Sequence, residues 1–414
     1  MTAAGAVSSG ESSRPSWVLL NMYARLGKIL NETTAHCDGR NDVKIYASLV
    51  RERPPLPSSL FVHCSGATIG ELPCVLSMVD NLILFHVYFG PPFGIPTPWT
   101  SDFFMYRADP KCPSLELLPR AEILISRDHP FGIFPRGEDH YTIASLIPLG
   151  SEHNLFSLRL YDSETKIWSW KKLYVESPQK DFPVDIPDNF YPLFSHHTST
   201  VITLGETTGW VDLWRGILFC HMLSEKHTLS GIPLPLPLKC TEHDPDSRKT
   251  LGDARSQRGI AFTNGRLRLV EVGLKVVCDV PNAYDEETGL PCCRTENWTI
   301  TTWTKKSMSN SYDDWHMDCT LQASEIFFGG HSEFGPPPID LQNLFVSDPT
   351  IGITEYDSQV VYLTARAKFM HPKSWVLAID TRDRKVQSLA VSPGPPPQEM
   401  RYINASYCSC SISK

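Results

Sequence analysis

The sequence holds no apolar run long enough to span a bilayer, and its first sixteen residues lack a cationic segment followed by an apolar core. A helical membrane span and a secretory leader are therefore not expected, and the chain reads as intracellular, cytoplasmic or nuclear, with no membrane partner. It also lacks a basic stripe. Lys and Arg are interspersed among Asp and Glu at a net charge of -8, so no surface is set up to neutralise consecutive phosphates and no nucleic-acid partner is expected. Catalytic signatures are missing as well. There is no Gly-x-Ser-x-Gly elbow for a serine nucleophile. The glycine-rich residues 328–335 lack the lysine, the following helix and the glycine spacing of a phosphate loop. No cofactor and no catalytic residue are expected.

Metal ligation is the nearest approach to chemistry. Cys278, Cys292, Cys293, His316 and Cys319 fall in one region, and zinc takes Cys and His in tetrahedral sets. His316 and Cys319 have chelating separation, but adjacent Cys292 and Cys293 with a solitary Cys278 supply no second pair, so reduced, partly buried thiols are the expectation and no metal site is assigned. The charged set Arg136, Glu138, Asp139 and His140 reads as a solvated turn rather than an acid-base pair. Cys408 and Cys410 alternate with serines, face one side of a strand and are expected in a core.

What is present is a strand-forming chain. Its 414 residues are 41% hydrophobic and 20% charged, enough for a sizeable core. Thirty-four prolines spread along it limit elements to short lengths. The stretch Gly209-Trp210-Val211-Asp212-Leu213-Trp214-Arg215-Gly216-Ile217-Leu218-Phe219-Cys220-His221 gives two apolar strands, followed by a polar turn at 224–227 and an edge strand reaching residue 238. Similar units recur at 81–118, 141–173, 259–317 and 360–391, each with paired apolar strands, a polar turn and an amphipathic edge strand. Successive turns lie roughly 55 to 85 residues apart, a spacing that suits four-stranded blades.

Such units cannot bury both faces alone, and closing them into a ring protects their edges. The fold is therefore expected to be all-β and β-propeller-like, with about six blades. Residues 1–15 form a disordered leader and residues 16–414 a single propeller-like domain, closed by pairing of the 402–412 tail with strands between residues 17 and 64. A helix is possible over 21–30, where Leu20, Tyr23, Leu26 and Leu30 approach helical spacing. Residues 129–139, 241–257 and 277–297 read as rim insertions.

Residues 17–20, 158–173, 209–217, 233–237 and 402–406 resemble the plant domain-of-unknown-function family DUF1618, expanded in grasses, with the Trp-Val-Asp-Leu-Trp-Arg-Gly run as the most specific part. The resemblance implies a plant protein without an established activity, and a likeness to propeller-like domains attached to F-box proteins.

The functional expectation is a non-catalytic scaffold, monomeric, whose rim loops bind an unknown protein or peptide. The candidate contact residues are Trp99, exposed in a Pro-rich loop, and His331 and Glu333, in the glycine-rich rim loop. The alternative is a hydrolase or a carbohydrate binder using the central channel, which requires several Asp, Glu or His converging on the axis. The remaining tryptophans, Trp168 and Trp170 among them, read as packing residues between sheets.

Overall fold

The computed structural model describes residues 16–40, 42–91, 94, 97, 100–120, 130–150, 154–175, 196–235, 237–238, 253–277, 284–286, 289, 292–306, 314–328, 340–354, 358–392 and 407–412. The leader 1–15 and most of 241–257 lie outside these residues. Short β-branched and aromatic runs become strands throughout, and among the described residues no α-helix forms, so none is long and apolar enough to cross a membrane.

The first strands are β1 (Trp17–Asn21), β2 (Arg25–Leu26), β3 (Ala35–Asp38), β4 (Lys44–Val50) and β5 (Ser59–Ser65). The first sheet has the order β2-β5-β4-β3. Four sheets of sequential, antiparallel strands follow. The second is β6 (Cys74–Val79), β7 (Leu82–Tyr88), β8 (Ser101–Arg107) and β9 (Ser114–Leu117). The third is β10 (Phe131–Arg136), β11 (His140–Pro148), β12 (Leu155–Asp162) and β13 (Ile167–Tyr174). The fourth is β14 (Thr200–Leu204), β15 (Thr207–Asp212), β16 (Gly216–His221) and β17 (Ser230–Pro233). The fifth is β18 (Arg258–Thr263), β19 (Arg266–Val277), β20 (Arg294–Lys305) and β21 (Trp315–Gln322). The sixth holds β22 (Phe327–Phe328), β23 (Phe345–Ile351), β24 (Val360–Arg366), β25 (Ser374–Asp380) and β26 (Lys385–Ser392), in the order β22-β26-β25-β24-β23. Finally, β27 (Tyr407–Ser411) pairs antiparallel with β1, from Trp17 opposite Ser411 to Asn21 opposite Tyr407.

Six strands run side by side in cyclic order: β6, β10, β14, β18, β23 and β27, the last lying against both β23 and β6. Apolar cores fill the spaces between neighbouring sheets. Val18, Ile45, Leu60, Phe85 and Phe104 join the first and second sheets, and Leu84, Met105, Phe131 and Tyr161 the second and third. Leu158 and Trp210 lie between the third and fourth, Trp214, Leu269 and Trp303 between the fourth and fifth, and Trp298, Leu363 and Leu377 between the fifth and sixth. Trp17 and Leu19 then pack on Tyr362 and Val376, so the sixth sheet meets the strand pair formed by the two ends of the described chain. This is an all-β, propeller-like architecture.

Tryptophans act between sheets rather than within them. Trp210 and Trp298 are almost wholly buried. Removing roughly 150–250 Å² of each ring system from water is worth on the order of 4–6 kcal/mol at about 25 cal/mol per Å². A buried indole N–H usually finds an acceptor, and three neighbouring segments supply one, whereas Trp210 Nε1 is buried without a hydrogen-bond partner. Trp168 donates to the Pro119 carbonyl (2.9 Å), Trp315 to Pro233 (2.8 Å) and Trp298 to Leu341 (2.7 Å). Each bond ties one sheet to the next.

The structure departs from the sequence expectation in three places. Within residues 21–30 only the short β2 (Arg25–Leu26) forms, in place of a helix, because the Ala24 and Gly27 amides donate to the carbonyls of Pro73, just before β6, and of Val62 in β5. Residues 131–136, expected within a rim insertion, are the innermost strand β10. Its Gly132 sits where a Cβ would come 2.9 Å from Thr208, which explains a glycine in a strand interior. The 277–297 insertion is shortened, since β19 continues to Val277 and β20 begins at Arg294.

Candidate functional site

The Trp210 to Gly216 segment is a structural hub. Asp212, almost fully buried, closes the β15–β16 turn by accepting from the Trp214 amide (3.0 Å) through Oδ1. Its Oδ2 accepts from the His197 amide (2.9 Å) and lies 4.0 Å from the Arg215 guanidinium. His196 is buried beside it. Burial pushes the imidazole down to about 4, against the opposing pull of Asp212, so it is neutral at physiological pH. From the fifth sheet, Arg258 donates through Nη1 to the Leu213 (3.0 Å) and Pro235 (2.9 Å) carbonyls. Its Nε and Nη2 donate to Glu271 Oε2 at 2.9 and 2.6 Å, and Glu271 Oε1 accepts from the Leu238 amide (2.9 Å). This buried pair is fully hydrogen-bonded, as a pair removed from water must be, and it carries no opening for a ligand.

Trp99, His331 and Glu333, the expected contact residues, lie outside the described residues. Of the zinc candidates, Cys292 is a free, exposed thiol, whereas Cys293 is disulfide-bonded. That corrects the expectation of reduced thiols at Cys293 and removes it from any ligand set, because a sulfur already bonded to sulfur has no thiolate to offer. His316 and Cys319 stand on β21, where Cys319 Sγ is 3.2 Å from Thr302 Oγ1. Among the described residues no three His, Cys, Asp or Glu side chains group as a metal site. The Arg136 to His140 set is a β10–β11 turn, with Arg136 paired to Asp162 at 2.7 Å. Cys410 is buried in the core beneath β1, with its Sγ 3.2 Å from that of Cys408.

The surface that stands out is the outer edge of the third sheet. β13 is outermost, hydrogen-bonded to β12 through eight residues without a register break. Ile167 (62%), Trp170 (58%) and Tyr174 (51%) are exposed along it, together with Lys171 and Lys172. Alternation puts Trp168, Trp170, Lys172 and Tyr174 on the face turned to the second sheet. Cover from that sheet reaches Trp168, through Pro119, and β9 is only four residues long. Trp170 therefore does not fill a core, contrary to the sequence reading. Lys171, on the opposite face, reaches His227 Nδ1 of the fourth sheet at 3.0 Å.

Residues 210–362 match the family described as a protein of unknown function, DUF1618. The matched segment starts at the Trp210 hub and ends within β24 of the sixth sheet. No curated protein matches the chain. Solved structures similar to it include that of YjhT, at 9% identity and a TM-score of 0.37 over 87% of this chain and 97% of the other. Another is the WD40 domain of SCAP from fission yeast, at 10% identity and a TM-score of 0.31 over 85% of this chain and 71% of the other.

Proposed function

We propose that this chain is a non-catalytic protein-interaction scaffold and that the β13 edge is its docking surface. The observation that carries the reading is an outermost strand of regular register that leaves Ile167, Trp170 and Tyr174 exposed. A long outer strand presents unpaired backbone groups to a partner strand, and exposed aromatics provide anchoring area. Of the other outermost strands, β9 and β17 have four residues each and β21 is broken by a bulge at Thr302/Trp303. Both features blunt an edge.

The channel reading, a hydrolase or carbohydrate binder, draws less support. The six strands in cyclic order carry a single carboxylate, Asp348, which is 5% exposed and hydrogen-bonded to Ser347 (2.7 Å). Their arginines are Arg136, paired with Asp162, and Arg258, paired with Glu271. A converging set of acids or histidines, which sugar or acid-base chemistry needs, is not what these strands supply.

The test is a photo-reactive side chain at position 167 or 174 of the full chain, compared with one at exposed Gln387 of the sixth sheet. Partner proteins crosslinked from cell extract at the β13 positions and lost with Trp170→Ala support the reading. Equal crosslinking at all three positions refutes it.

A further inference from the structure

Resting on β13 as a docking edge, we propose that its partner is an acidic peptide segment in extended conformation, adding to the third sheet with carboxylates toward Arg159 and Lys172. The register places these groups together. Arg159 lies opposite Trp170, and Lys172 opposite Ser157. One strand further in, Ser145 lies opposite Arg159. One face thus carries the row Ser145, Arg159, Trp170 across three strands, with Ser157 and Lys172 beside it and Tyr174 beyond.

The polar groups of this face are under-used. Arg159 is half-buried and its Nε has no hydrogen-bond partner. A buried donor without an acceptor is costly in a finished structure, and a carboxylate supplies the acceptor with an opposite charge. Burial also lowers the pKa of Arg159, so an anion beside it restores lost solvation. Among the described residues neither Arg159 nor Lys172 has an ion-pair partner, and Lys172 Nζ lies instead 5.5 Å from the Tyr174 ring. Glu116 of β9, whose charge acts on Tyr161, is already held by Lys166 at 3.0 Å. On a chain of net charge -8 this is a local surplus of cation, and complementary charge selects an acidic partner.

An aromatic and cationic face also suits single-stranded nucleic acid. The peptide is favoured because a regular strand edge offers alternating N–H and C=O groups in the register another strand needs. The lysines have a second possible role, guarding the edge against self-association, and the experiment separates the two.

The test uses the full-length chain and three fluorescent eight-residue probes read by anisotropy: alternating Val and Glu, alternating Val and Lys, and the Val/Glu composition with two internal prolines. An oligothymidylate of eight nucleotides is the fourth probe. Only the Val/Glu strand-former should bind, more weakly as salt rises. Arg159→Gln and Lys172→Gln should each weaken it by roughly tenfold, the worth of one charge-assisted bond, and Trp170→Ala should abolish measurable binding. Lys172 is exposed, so its variant keeps the test valid should Arg159→Gln fail to fold. Equal binding of the Val/Lys, proline or oligothymidylate probe overturns the proposal, as does Lys172→Gln that aggregates yet binds Val/Glu like the parent. No Val/Glu binding, with crosslinks at position 174 retained, removes the acidic partner and leaves the docking edge. Loss of both removes the docking edge too.

Discussion

Two buried groups should give the fold opposing responses to acid that conceal one another. His196 is buried beside Asp212, and burial lowers its pKa from 6.5 to about 4. Between these values the unfolded chain binds a proton that the folded chain refuses, so stability falls as pH drops through the window. Over the whole window the loss is on the order of 3 kcal/mol. Asp348 has the opposite sign. It occupies a bulge of β23 at φ 56°, fully buried, and desolvation raises its pKa from 3.8 to about 6 against the Ser347 hydrogen bond and the nearby Arg366 charge. Here the folded chain keeps a proton that the unfolded chain has lost. That contribution is present below the unfolded pKa and disappears as pH rises through about 6, again on the order of 3 kcal/mol. In the parent the two slopes overlap and nearly cancel.

Asp348→Asn keeps a short amide that tolerates positive φ and removes one titration; His196→Gln removes the other. Thermal midpoints of the parent, both single variants and the double variant, taken from about pH 4.5 to about pH 7.5, isolate each slope as a difference from the parent. Relative to the parent, Asp348→Asn should gain stability as pH rises, whereas His196→Gln should gain it as pH falls. Absolute costs of either substitution cancel from the slopes. If both variants track the parent across the range, Asp348 is ionised and His196 solvated in the native fold, and the burial reasoning is wrong.

Glu271→Gln should cost about 3–5 kcal/mol by leaving the Arg258 charge buried and unmatched; chemical denaturation measures it, and a cost below about 1 kcal/mol contradicts the pairing. Gly259→Ala drives a Cβ into the Pro349 carbonyl oxygen, so β18 and β23 must separate. The expected loss is at least about 1–3 kcal/mol, with faster amide exchange in both strands, and unchanged exchange would argue against their close approach. Trp210→Ala should cost about 3–5 kcal/mol, while Trp170→Ala, on the exposed edge, should stay within about 0.5 kcal/mol; equal melting midpoints would contradict the burial contrast. Ending the chain at residue 401 removes β27 and uncovers β1, and the thermal midpoint should fall sharply. An unchanged midpoint would show that the β1–β27 pairing does not hold the ring.

The middle strands were legible in the sequence by itself. β7, β8, β15, β16, β24 and β25 are packed on both faces, so they read as apolar, aromatic or β-branched runs whatever surrounds them. Two of the innermost strands were harder. Phe131-Gly132-Ile133-Phe134-Pro135-Arg136 and the Asp348-Pro349 bulge look like loops, because an innermost strand pairs on one side only and tolerates a missing N–H or a positive φ. Tertiary structure decided the candidate site. Trp170 and Trp210 each lie on a strand within four residues of a second tryptophan, but Trp210 faces the core between the third and fourth sheets while Trp170 projects where cover from the short β9 ends. Sequence fixes which side chains alternate to one face of a strand. Whether that face meets a neighbouring sheet or water depends on the length of an element some fifty residues away along the chain, and so does the difference between a packing residue and a docking residue.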